Sequence, residues 1–297
     1  MRIIAFFTLF LPTLASAQTF GGIGTRAEGM GGAFVAIADD ASAVYWNPAG
    51  IATGATFDFQ IARGKADPGS TLFLGATMPV LGLSYYRTHT VRASPDRQND
   101  GSGKVQIRTL TTANYGVTFV QTVVSGLVIG TTARVVRGGV DPVESRTTVD
   151  LDAGAMASLG NVRLGITGRN LRQPEFEADA GAFRVTRQVR AGAALAPRSL
   201  PDGVHGPFSI AFDADLTRTP GPDGDLRVAA IGGEYWMAQG RLGARAGVNW
   251  NTVNAPDRAV SWGITVKLPR SFFAEGQMTK RGKGEEATWN IGVRITF

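Results

Sequence analysis

The chain has 297 residues, no cysteine and a formal net charge of +6, with 39 glycines, 43% hydrophobic residues and only 18% charged ones. So low a charged fraction argues against an ordinary soluble domain and against a disordered chain. The missing cysteines exclude disulfides and thiol chemistry, and a positive excess with no basic block leaves no footprint for nucleic acid.

Residues 1–17 read as a signal peptide. Met1-Arg2 supplies the positive end, Ile3 to Leu14 an apolar run, and Ala15-Ser16-Ala17 a small-residue cleavage site, so the mature chain starts at Gln18. The run is shorter than the roughly 20 residues of a spanning helix. The stretch Gly21 to Gly50, crowded with glycine and alanine and closing on Asn47-Pro48-Ala49-Gly50, does not alternate like a strand. Residues 18–54 therefore read as a compact plug, and residues 55–297 as the β-structure around it. Asp39 or Asp40 is placed to cap a helical turn over Ala41 to Tyr45, which Pro48 ends.

From Ala55 onward the pattern has period two. Trp289, Ile291, Val293, Ile295 and Phe297 share one face, and Asn290, Gly292, Arg294 and Thr296 the other. Segments near 258–268, 240–250 and 206–216 repeat this. In a soluble sandwich the polar face would be rich in large hydrated side chains. Here it mixes Gly, Ser and Thr with single charges, and the apolar face carries aromatic residues near strand ends, as a membrane barrel requires. About fourteen such segments fit between Ala55 and Phe297. Tight turns, such as Gly160-Asn161, alternate with longer polar connections, such as 93–104 and 171–182. The fold class is thus all-β, a transmembrane antiparallel barrel of about 14 strands with both termini in the periplasm. One connection, 196–205, is long where a short turn is expected, which leaves a miscounted strand open.

The motif Gly24-x-Arg26-Ala27-x-x-Met30-Gly31-Gly32-Ala33-Phe34, continuing through Ala38-Asp39-Asp40 to Tyr45-Trp46-Asn47-Pro48-Ala49-Gly50, resembles the N-terminal signature of the FadL-like superfamily. That superfamily contains outer-membrane transporters of fatty acids and aromatic hydrocarbons, together with shorter PorV/PorQ-like proteins linked to secretion. The resemblance implies an outer-membrane location in a Gram-negative-type bacterium and an N-terminal hatch inside the barrel. It also implies a terminal aromatic, Phe297, of the kind the barrel assembly machinery reads.

The inward face gathers Asp58, Asp150, Asp152, Asp213, Asp215 and Glu234 with Arg134, Arg163, Arg190, Arg241, Arg245, Lys267 and Arg294. Buried charges are normally paired, so this set reads as a network that grips the plug, with Arg26 and Asp39 or Asp40 joining it. Plug or gate candidates are Arg26, Met30, Phe34, Asp39, Asp40, Trp46, Asn47 and Pro48. Trp46 is the aromatic expected to touch whatever enters the lumen, whereas Trp236, Trp250, Trp262 and Trp289 are expected on the lipid side.

Other constellations give less. Gly22-Ile23-Gly24-Thr25-Arg26-Ala27 matches a dinucleotide fingerprint but does not follow a strand. Asp223-Gly224-Asp225 lacks the later glutamate of a calcium loop. With only His89 and His205, and no elbow motif, neither a hydrolase nor a histidine metal site is expected, and no cofactor. Two functions follow. The first is passage of hydrophobic small molecules with the hatch as gate. The alternative is a non-transporting, PorV-like platform for a secreted or surface protein. The expected partners are outer-membrane lipids, the assembly machinery, and a hydrophobic ligand or a secreted protein.

Overall fold

The computed structural model describes residues 22–65, 69–95, 105–140, 144–177, 183–197, 208–220, 224–254, 257–282 and 286–297. The expected signal peptide, the first residues after it, His205 and most of the 196–205 connection lie outside these residues.

The strands are β1 (Asp58–Lys65), β2 (Ser70–Met78), β3 (Leu81–Pro95), β4 (Val105–Val124), β5 (Leu127–Val140), β6 (Arg146–Leu159), β7 (Val162–Arg169), β8 (Glu175–Phe176), β9 (Phe183–Arg184), β10 (Gln188–Leu195), β11 (Phe208–Asp215), β12 (Val228–Met237), β13 (Leu242–Asn251), β14 (Arg258–Leu268), β15 (Phe272–Arg281) and β16 (Thr288–Thr296). Fourteen of them pair antiparallel into a closed barrel, while β8 and β9 form a separate two-stranded ribbon in the connection from β7 to β10. Closure comes where β1 meets β16, with Asp58 opposite Thr296 and Lys65 opposite Trp289. A closed sheet leaves no unpaired edge, which a wall in contact with lipid demands.

The two faces of the wall differ as alternation predicts. Ile61, Leu83, Phe119, Val135, Leu164, Ile210, Trp262 and Ile291 stand exposed on the outside. On the inside, Asp58, Arg134, Asp150, Asp213, Arg245 and Arg294 are buried. Such an exterior belongs in a bilayer, because no soluble protein leaves so continuous an apolar surface to water.

The end carrying Asp58 and Thr296 has short turns at 79–80, 125–126, 160–161, 238–241 and 269–271. The long connection between β10 and β11 is also at this end, and no strand stands between those two in the wall. The flanking strands pair directly, Leu195 opposite Ile210, so the count stays at fourteen. At the opposite end β3 to β6 run well past their neighbours, β4 reaching 20 residues. There Phe176 of the β8–β9 ribbon packs with Leu110, Val136 and Val185 in a small core of its own.

One tryptophan departs from the expectation. Trp236 faces inward, two residues from Glu234 on the same side of β12, and packs edge-on against Phe273 with ring centroids 6.3 Å apart. Strand alternation had already tied Trp236 to the face of Glu234, and that parity outranks the general preference of tryptophan for the lipid boundary.

Candidate functional site

Residues 22–54 are almost wholly buried, yet they belong to no strand. They touch the inner side of the wall on every flank. Helix α1 (Thr25–Gly29) lies on β13 to β16, and a 3-10 helix, Pro48–Thr53, lies on β4 to β6. Helix α2 (Ala43–Trp46) sits between them in the chain. The described chain begins inside the barrel, with Gly22 beside Thr71 near the far end of β2. It leaves the barrel past Phe57, whose backbone pairs with that of Phe297. The barrel's own ends, Asp58 and Thr296, share the short-turn end, whereas Gly22 lies near the opposite one.

The local structure follows from a few residues. Gly31 and Gly32 take positive φ of 67° and 80°, turning the chain where a side chain would be strained. The carboxylate of Asp40 accepts hydrogen bonds from the Ser42 N–H at 2.9 Å and the Ser42 hydroxyl at 2.5 Å, closing the turn before α2. Neither Asp39 nor Asp40 caps the helix itself: it starts at Ala43 behind Ser42, two residues later than expected. Asn47 is extended, as a residue before proline must be, and its side chain accepts from the Ala49 N–H at 3.2 Å while donating to the Val35 and Ala155 carbonyls. Pro48 then opens the 3-10 helix.

Trp46 is fully buried within this segment, edge-on to Phe34 and Tyr45, with its indole N–H donating to the Ile23 carbonyl at 2.8 Å. It presents no open surface to a ligand, contrary to the sequence expectation. A buried indole needs an acceptor, and the fold supplies one from the segment's own beginning. The wall makes room for this core by omitting side chains. A Cβ on Gly130 would stand 2.5 Å from Ala49, and one on Gly165 2.6 Å from the Val35 carbonyl. Side chains at Gly154, Gly232 or Gly247 would overlap Asn47 or Met30 outright.

Charges fasten the segment. The Arg26 guanidinium reaches Asp39 at 2.6 Å, Asp40 at 3.6 Å and Glu234 of β12 at 3.0 Å. Burial alone would discourage its charge, but the carboxylates of Glu234, Asp39 and Asp40 override this and raise its pKa well above the ordinary value. From the wall, Arg163 reaches Asp39 at 3.1 Å and Arg245 reaches Glu234 at 3.4 Å. Alongside, Arg294 pairs with Asp58 and Glu275, each at 3.4 Å, and Asp58 accepts from the Ala41 N–H at 3.0 Å. Glu275 also accepts from the Thr25 hydroxyl. Across the lumen Asp213 accepts from the Phe34 and Val35 N–H groups at 2.7 and 2.8 Å. Arg190 pairs with Asp215 at 2.6 Å and donates to the Gly32 carbonyl at 3.2 Å.

A second cluster lies toward the extended strands. Arg134 pairs with Asp150 at 2.5 Å and Asp152 at 2.8 Å, and donates to Asn114 at 2.7 Å. Arg169 lies 3.5 Å above the Tyr45 ring and donates to the Tyr86 hydroxyl at 3.1 Å.

Two expected members lie elsewhere. Arg241 is exposed in the turn before β13, because the alternation was extended past the strand's true start at Leu242. Lys267 is half-buried near the end of β14, its ammonium 5.9 Å from the Phe273 ring, away from the Arg26 group. Conversely, Gln60, Arg169 and Glu275 belong to the lining and were not expected. Parity alone identifies them: Gln60 lies two residues from Asp58, Arg169 six from Arg163, and Glu275 two from Phe273.

Among the described residues no cluster of metal-ligating side chains occurs. Met30 is buried between Gly232 and Gly247, and its backbone fills the space those glycines leave.

Comparison with known proteins agrees with this architecture. The CymD monoaromatic hydrocarbon channel superposes with a TM-score of 0.69 at 14% identity, over 95% of this chain and 99% of that one. The Pseudomonas putida toluene transporter TodX gives 0.64 at 12% identity, over 94% and 99%. A Pseudomonas aeruginosa FadL homologue gives 0.63 at 11% identity, over 96% and 100%. The chain has the FadL-like fold. A family model described as "F plasmid transfer operon, TraF, protein" matches residues 69–215, which span β2 to β11. No curated protein sequence matches.

Proposed function

We propose that this chain is an outer-membrane channel for hydrophobic small molecules, with residues 18–54 as its hatch and its short-turn end in the periplasm. The observation that carries the reading is the segment's seating. Residues 22–54 are held in a FadL-like barrel by ion pairs and hydrogen bonds to wall side chains, with no strand of their own paired into the wall. Its neighbours in fold are named as a monoaromatic hydrocarbon channel and a toluene transporter, and an uncharged aromatic or fatty-acid-like molecule is the substrate class this reading takes. Phe297, exposed and stacked on Phe57 at 6.0 Å, serves as the terminal signal for barrel assembly.

The test is uptake of labelled toluene by cells lacking their own hydrocarbon channels. The expectation is faster uptake with this chain than with an empty vector. Uptake equal to the vector, with an assembled and heat-modifiable barrel, would refute the reading.

A second reading is favoured by the two bridges that cross from segment to wall, Arg26 to Glu234 and Arg163 to Asp39, and by the family model, which is described after a plasmid transfer protein and not a channel. There the segment is a permanent stopper and the barrel a platform for a secreted or surface protein. Bound lipid or detergent in the lumen of purified protein supports the channel; an empty lumen with a stoichiometric protein partner supports the platform.

A further inference from the structure

The outside of the wall carries charge of one sign. Every carboxylate on a described barrel strand faces the lumen, whereas Arg63 on β1, Arg87 on β3 and Arg137 on β5 are exposed on the outward face. The register puts the three in one row: Arg63 pairs with Leu72, Leu72 with Arg87, Arg87 with Ala113, and Ala113 with Arg137. Arginines on alternate strands of a row stand about 10 Å apart, twice the spacing between neighbouring strands.

The row follows the hydrogen bonds and so climbs across tilted strands: Arg63, Arg87 and Arg137 lie five, six and ten residues from the short-turn starts of β1, β3 and β5. Two residues nearer the short-turn end, the outward positions on the same strands are Ile61, Tyr85 and Val135. Tyr85 touches Tyr115 on β4, with ring centroids 5.1 Å apart. Along each strand, apolar or tyrosine positions on the short-turn side give way to arginine, a change of residue type found where lipid tails meet head groups. Among the described residues no carboxylate pairs with the three arginines; Arg137 donates only to the Ser145 hydroxyl, at 3.1 Å. Lys65, by contrast, is already paired with Glu286.

We propose that Arg63, Arg87 and Arg137 bind the head-group phosphates of a diphosphorylated glycolipid in the leaflet at the barrel's extended end. The acyl chains lie on the apolar residues beneath. A guanidinium takes a phosphate through two parallel hydrogen bonds, and a row of three with spacing between them suits a head group carrying two separated phosphates better than one compact anion. A lipid satisfies both halves of the surface, the basic row and the apolar strip under it, whereas free phosphate satisfies only the first. This site is independent of whether the hatch opens.

The test is native mass spectrometry of the full chain in detergent, titrated with diphosphoryl and monophosphoryl lipid A. Wild type is expected to bind the diphosphoryl form at least tenfold more tightly than the R63Q/R87Q/R137Q variant, and more tightly than it binds the monophosphoryl form. A charge-matched control, R227Q/R258Q/K280Q, alters basic residues away from this row and is expected to bind like wild type. Heat-modifiable migration confirms that each variant is assembled. Equal loss in both triple variants would make the effect one of net charge and overturn the proposal. So would equal binding by wild type and R63Q/R87Q/R137Q. Full competition by millimolar inorganic phosphate would reduce the row to a simple anion site and overturn the assignment to a lipid.

Discussion

Replacing Arg26 by alanine is the sharpest perturbation of the buried segment. The guanidinium sits among Asp39, Asp40 and Glu234, all buried with it. Its loss leaves Glu234 with Arg245 and Asp39 with Arg163, but Asp40 keeps only its contacts to Ser42. Three carboxylates then face two arginines in a group that was balanced. Removing one partner of a buried ion pair costs about 3–5 kcal/mol. Here that cost falls on the docked state, because in an undocked segment water solvates Asp39 and Asp40.

Because the chain has no cysteine, a single Ala33→Cys reporter gives an unambiguous readout. Ala33 is fully buried, so a water-soluble maleimide reaches it only when the segment moves. At about 1.4 kcal/mol per factor of ten, labelling should accelerate by roughly a hundredfold to a few thousandfold in the Arg26→Ala background. Arg26→Lys should recover little of this, since an ammonium cannot reach Glu234 and Asp39 through two separate nitrogens. Labelling at the wild-type rate in Arg26→Ala would show that the ion pairs do not hold the segment, and the clamp reasoning would be wrong.

Other outcomes follow from the same geometry. Gly232→Val should displace the segment without opening the barrel, because the new side chain collides with Met30; the expected result is faster Ala33→Cys labelling with heat-modifiable migration retained. Glu28 is half-buried and accepts from the Gly22 N–H at 2.6 Å; burial pushes its pKa up to about 7 against opposition from Gly22, Arg281 and Arg190. With the docked pKa above the free one, docking is strongest at acid pH and weakens as pH rises from about 4.5 to about 7, by on the order of 1 kcal/mol after solvent screening. Maleimide labelling of the Ala33→Cys protein, corrected for thiol ionisation, should show that trend and lose it when Glu28→Gln is added. Deleting Phe297 should lower the yield of assembled, heat-modifiable barrel several-fold while total expression holds; an unchanged assembled fraction would remove its role as the assembly signal.

The barrel was legible because lipid and lumen enforce alternation residue by residue. The β14 segment was expected at 258–268, the range it occupies, and the other strand boundaries shifted by a few residues at most where the chain is regular. The irregular place is the start of β10 at Gln188, because Phe183 and Arg184 just before it pair with Glu175 and Phe176 in the ribbon. No local pattern announces a two-residue ribbon whose reason is the distant cluster of Leu110 and Val136. Within the site, charge type and parity located most of the wall residues. Partner choice was not legible: which of Asp39 and Asp40 meets Arg163 depends on how Gly31, Gly32 and Pro48 turn the segment. Trp46 escaped for the same reason, since its acceptor, the Ile23 carbonyl, is set by that turn and not by spacing along the chain.

The way the charges divide bears on whether such a segment can move at all. Within it, Arg26 holds Asp39 and Asp40; within the wall, Arg245 holds Glu234 and Arg294 holds Asp58 and Glu275. In the Arg26 group only two bridges cross between segment and wall, Arg26 to Glu234 and Arg163 to Asp39. A segment leaving as a unit would thus take Arg26 with two carboxylates and leave Arg190, Arg245 and Arg294 with theirs, while Arg163 loses Asp39. Arg163 then faces the lumen that the segment has vacated, where water solvates it, so no isolated charge stays buried. The remaining ties, such as Asp213 to the Phe34 and Val35 N–H groups, are hydrogen bonds that water can replace. A permanent stopper has no need for self-paired halves, whereas a hatch does, and this partition is the physical ground for preferring the hatch.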